Sequence, residues 1–119
     1  MREVLAAVLS DVAGVRVVGT AVDGEDAVRR ALELKPDLVI MDVAMPKLNG
    51  VDATRLIREA LPRVAVVAVS NHDDKRLISA MLKAGALAYV LKGDALEELG
   101  PAVRAALRGK PYAPRRNNR

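Results

Sequence analysis

Val4, Leu5, Val8, Leu9 and Val12 recur at three- and four-residue spacing, which predicts an amphipathic helix over about residues 2–13. Gly14 supplies its stop, and the β-branched content of residues 16–22 predicts a strand. Asp23 and Gly24 can cap a second helix whose inward face is Ala27, Val28, Ala31, Leu32 and Leu34, and Lys35-Pro36 ends it. The unbroken run Leu38, Val39, Ile40, Met41, closed by Asp42, reads as a strand buried on both faces. A polar loop with Pro46, Asn49 and Gly50 precedes a third helix from Val51 to about Leu61, with Pro62 just beyond. Residues 64–69 repeat the pattern of a fully buried strand and stop at Ser70. Asn71 to Asp74 can cap a fourth helix on which Leu77, Ile78, Met81 and Leu82 share a face, with its exit at Gly85. Residues 87–91 form the last expected strand, ended by Lys92. Asp94 and Glu97 have capping-box spacing for a final helix reaching about Arg108. Pro101 removes one hydrogen bond inside that helix, so either a kink or a start nearer residue 98 is expected.

Strands alternating with helices imply right-handed crossovers and an α/β parallel sheet covered on both faces. A length of 119 residues suits one domain. Apolar residues make up 51% of the chain and aromatics 2%, with no Phe or Trp, so the core must be aliphatic. The absence of cysteine excludes disulfides, Cys-type zinc sites and thiol catalysis, and the single His72 excludes a multi-histidine metal site. No run of about 18 apolar residues and no export leader is found, so a cytoplasmic protein without membrane contact is expected. The net charge of +4 lies entirely in Lys110, Arg115, Arg116 and Arg119, and residues 1–109 balance to zero. Residues 1–109 are therefore read as the domain and residues 110–119 as a basic Pro/Asn/Arg tail, a linker remnant.

Three polar residues stand where buried strands end: Asp42, Ser70 and Lys92. The carboxyl ends of parallel strands share one edge, where ligands of open α/β sheets bind. A carboxylate nucleophile, a hydroxyl that can bond a phosphoryl oxygen and an ammonium that can neutralise it form a set suited to phosphoryl transfer. Taken singly, each has a plain reading, as a strand-end cap, a helix cap and a surface charge. His72 reads as a loop residue, and Asp73-Asp74 as a solvated helix start. Nucleotide-dependent enzymes are disfavoured, because neither GxGxxG nor GxxxxGK[ST] occurs.

Residues 36–46, PDLVIMDVAMP, with Asn49-Gly50, resemble the phosphoacceptor strand and loop of response-regulator receiver domains. Ala84-Gly85-Ala86 and Tyr89-Val90-Leu91-Lys92-Gly93 resemble the last strand of that family. With residues 18–24 and the Arg108-Gly109-Lys110-Pro111-Tyr112 exit, the chain is most similar to the LuxR-type (NarL/FixJ) subgroup over about residues 2–112. The resemblance implies a flavodoxin-like (CheY-like) fold, not an enzyme, working in two-component signal transduction. It implies that Asp42 accepts a phosphoryl group from a sensor histidine kinase, that Ser70 and Lys92 contact it, and that Tyr89 is the switch aromatic. It also implies a magnesium ion held by Asp42 and the backbone carbonyl of Ala44.

The pattern departs from the family at the amino end, where the first strand and its acidic pair have no counterpart. Four strands are expected in the chain. The slot between residues 16–22 and 37–42 then exposes backbone donors and acceptors, which predicts a closed-up four-stranded sheet or completion by another chain, and hence a homo-oligomer. Weakened magnesium binding should impair phosphotransfer. If strand 16–22 moves beside 37–42, Asp23 would reach the edge of Asp42 and partly replace the acids. The alternative is a degenerate receiver that acts only through protein contacts or dimerisation. Ten residues after Gly109 leave no room for a helix-turn-helix, so no sequence-specific DNA binding by this chain is expected.

Overall fold

The computed structural model describes residues 14, 21, 23–43, 49–71 and 74–112. The expected helix at 2–13 and, apart from Ala21, the strand expected at 16–22, and with them the question of the missing-strand slot, lie outside the described residues. The described elements are α1 (Gly24–Leu34), β1 (Leu38–Asp42), α2 (Gly50–Ala60), β2 (Ala65–Ser70), α3 (Lys75–Ala84), β3 (Ala88–Leu91), a 3-10 turn (Lys92–Asp94) and α4 (Ala95–Leu107).

The three described strands form a parallel sheet in the order β1-β2-β3. Asp42 lies opposite Val69, and Val69 opposite Val90, so the register aligns the strand ends. Successive side chains alternate between faces. Val66, Ala68 and Tyr89 join Ala27, Ala31, Ile57, Ile78 and Met81 in one core, which puts α1, α2 and α3 on one side. Val67, Val69 and Val90 join Leu99, Ala102, Val103 and Ala106 in a second core under α4. The unbroken run of β2 follows from this two-sided covering, and all six of its residues are buried; in β1 only Met41 is buried and Leu38, Val39 and Ile40 are half-buried, short of the burial expected there.

Helix starts follow the local chemistry. Asp23 accepts from the Asp26 N–H at 2.8 Å, and Asn49 from the Asp52 N–H at 2.9 Å. Asp74 caps α3 through the Arg76 N–H. Lys35 closes α1 in a left-handed conformation, and Gly85 closes α3 at a φ of 118°.

The last helix starts at Ala95, where the capping-box spacing at Asp94 puts it, and not near residue 98; a 3-10 turn leads out of β3 directly into it, and Asp94 makes no side-chain cap. Pro101 sits inside the helix and is accommodated there. The expected inward faces are also too wide: Leu32, Leu34 and Leu82 are exposed, because small residues such as Ala27 and Ala31 make the close contacts.

In the segment read as linker, the chain turns back through Gly109, and Tyr112 pairs with the outer edge of β3 opposite Ala88. Its N–H donates to the Leu87 carbonyl at 2.8 Å and its carbonyl accepts from the Tyr89 N–H at 3.2 Å. The sheet edge is thereby partly closed.

Candidate functional site

Asp42 and Lys92 come together although fifty positions apart: the Lys92 ammonium donates to Asp42 Oδ2 at 2.9 Å. Register explains the contact. Asp42, Val69 and Val90 form one row across the sheet, and Lys92 follows two residues after Val90. Strands two apart are separated by about 9.6 Å, so only a long side chain spans β2 from β3 to β1. The lysine side chain is 14% exposed and the aspartate 28%, which leaves the carboxylate approachable from solvent while the ammonium is mostly covered.

Ser70 stands at the same edge, one residue beyond the partner of Asp42, and is fully buried. By strand alternation it continues the row of Val66 and Ala68. Tyr89 is also fully buried, opposite Ala68 within the core beneath α1–α3. Asp23 sits at the α1 N-cap with Oδ1 engaged by the helix, and is buried. Ala44 lies outside the described residues. The polar edge expected from strand polarity thus brings Asp42 and Lys92 into contact and sets Ser70 beside them.

One determinant escaped the sequence reading. The Val43 N–H donates to the Val69 carbonyl, and the Gly50 N–H donates to the Val43 carbonyl, both at 3.1 Å. A Cβ on Gly50 would lie 2.6 Å from Val43 Cα and 2.7 Å from the Asp42 carbonyl oxygen. Only glycine lets the start of α2 pack against the backbone that carries Asp42. The Asn49-Gly50 pair was visible in the sequence as a loop signal, but the close approach was not.

The described residues contain no group of three or more His, Cys, Asp or Glu that could hold a metal ion. They fit one ligand of the family's magnesium, Asp42, and not a whole site.

A sequence profile of the response regulator receiver domain matches residues 1–104. The chain belongs to the response regulator receiver family. It is similar to the response regulator GacA of Pseudomonas viridiflava, with 41% identity over 104 residues covering 87% of this chain and 49% of that protein. The chain spans about half the length of the curated relatives it matches. A LuxR-family two-component response regulator from Aurantimonas sp. has a similar structure, at 32% identity and a TM-score of 0.88, covering 93% of this chain and 79% of that one. The signal receiver domain of NarL from Mycobacterium tuberculosis aligns at 31% identity and a TM-score of 0.85, covering 92% and 88%. These neighbours support a receiver of the NarL/FixJ type with the CheY-like fold. Among the described residues, no helix is long and apolar enough to cross a membrane.

Proposed function

We propose that this receiver accepts a phosphoryl group on Asp42 from a sensor histidine kinase. A carboxylate oxygen of Asp42 attacks the phosphorus of a phosphohistidine, an O–P bond forms as the P–N bond breaks, and the leaving imidazole nitrogen takes up a proton. The observation that supports this most is the 2.9 Å contact between Asp42 and Lys92 at the carboxyl edge. A fixed ammonium there offsets the repulsion between an arriving phosphate and the aspartate, and then pairs with the phosphoryl oxygens. Ser70 supplies a hydroxyl at the same edge, and Tyr89, three residues before Lys92, carries the change into the core.

Transfer is slow on this reading, because the described residues hold no group of three acids for magnesium around Asp42, and Asp23 is the candidate second ligand. Cytoplasmic location and a homo-oligomer, completed by a second strand or not, belong to the same proposal.

The test is intact-mass spectrometry of the 119-residue chain after acetyl phosphate and magnesium, beside Asp42→Asn and a version carrying an added apolar strand that ends in two aspartates. The expected result is a slow gain of one phosphoryl group, absent in Asp42→Asn and faster with the added strand. No gain in any version would overturn the proposal and favour a degenerate receiver acting through contacts. In the same assay, a magnesium requirement unchanged in Asp23→Ala would remove Asp23 from the metal site.

A further inference from the structure

Glycine is required at the start of α2, because a Cβ on Gly50 would meet Val43 Cα at 2.6 Å. Asn49 before it is the N-cap, accepting the Asp52 N–H at 2.9 Å. The packing of α2 on the Asp42 strand thus sets an asparagine in front of a glycine. In that pair no side chain shields the following backbone nitrogen from the asparagine amide. Asn49 is exposed, so water reaches it.

The geometry activates one partner of a reaction between them and withholds the other. The Asp52 N–H, one of the open amides at the positive end of α2, is aimed at Asn49 Oδ1, where negative charge develops when Cγ is attacked. The attacking atom is held back. The Gly50 N–H donates to the Val43 carbonyl at 3.1 Å, the Asn49 backbone is extended at a ψ of 167°, and Asn49 Nδ2 donates to Asp52 Oδ2 at 3.3 Å.

We propose that Asn49 is a self-modification site gated by the Gly50–Val43 bond. When the first turn of α2 lifts from Val43, the Gly50 nitrogen attacks Asn49 Cγ. A C–N bond forms, the Cγ–Nδ2 bond breaks, and Nδ2 leaves as ammonia with the Gly50 amide proton. Water then opens the succinimide at either carbonyl, leaving aspartate or isoaspartate. Aspartate keeps an acceptor for the Asp52 N–H. Isoaspartate instead adds a methylene to the main chain just before Gly50 and stops it reseating on Val43. The reaction locks the opened form, whether or not Asp42 accepts a phosphoryl group.

The experiment incubates the 119-residue protein in mildly alkaline buffer, with and without urea, and digests it with trypsin. Peptide 48–55 holds Asn49 as its only asparagine, and peptide 64–75 carries Asn71-His72 for internal comparison. The expected result is conversion of 48–55 from amide to acid, split into aspartate and isoaspartate forms, with 64–75 unchanged. Without urea it should run roughly tenfold or more slowly, because only locally opened chains react. Across low urea the rate should rise in step with hydrogen exchange of the Gly50 amide. The purified isoaspartate form should lose protection of that amide, whereas Asn49→Asp should keep it. No conversion of 48–55 even in urea, equal rates in folded and unfolded chains, or a protected Gly50 amide in the isoaspartate form would overturn the proposal.

Discussion

The two ends of the sheet each hold a cation among backbone turns, and they use it differently. At the carboxyl end, Lys92 meets the carboxylate of Asp42, a group that chemistry can modify. At the amino end, the Arg58 guanidinium donates to the Pro62 carbonyl and, at 2.8 Å, to the Val64 carbonyl, groups whose charge never changes. Each end also has a glycine at a close contact. Gly50 faces backbone beside Asp42, while Gly85 faces Arg58, whose Cγ would lie 2.8 Å from an added Cβ. On the proposed function, one end responds and the other stays fixed.

Substitutions at the glycines should break this contrast most strongly. Gly50→Ala should cost about 1–3 kcal/mol in urea unfolding, as overpacking against immobile backbone does, and should also abolish phosphoryl acceptance by displacing Asp42. Gly85→Ala should lose about 1–2 kcal/mol through its positive φ and the Arg58 contact, yet leave acceptance intact once folded. If both variants lose acceptance equally, the ends are not separable.

Arg58→Met sharpens the same point. It should lower stability by about 1–2 kcal/mol as two carbonyls lose their donor, with acceptance by acetyl phosphate unchanged. Lys92→Met should do the reverse, shifting stability by about 1 kcal/mol or less because the pair is partly solvated, while sharply slowing acceptance.

The smallest effect is expected inside α2. The Thr54 hydroxyl is fully buried and has no hydrogen-bond partner among the described residues. Thr54→Val should therefore be neutral or stabilising by up to about 1 kcal/mol in thermal unfolding. Marked destabilisation would show that the hydroxyl is engaged.

Much of this architecture was legible because its inner strands are buried on both sides. The run at 64–69 is buried throughout, that at 38–41 only at Met41, and the polar residues that closed both marked the candidate site. Helix faces were less legible, since apolar residues outnumber the positions the core covers, and Leu32 and Leu82 are left outside. The start of α4 was legible from the capping-box position of Asp94, whereas the 3-10 turn that leads into it was not. Neither the Gly50 approach nor the edge pairing of Tyr112 leaves a local signal, because each depends on backbone brought in from elsewhere in the chain. Asp42 and Lys92 were visible as strand ends, but their contact required the register.

The central claim is that Asp42 and Lys92 form the responsive end of the sheet. Its most direct test is a beryllofluoride titration with magnesium, followed through the amide resonances of Ser70, Tyr89 and Lys92. The account predicts saturable shifts in all three, absent in Asp42→Asn. Resonances that stay still in the wild-type chain, or that move equally in Asp42→Asn, would contradict it.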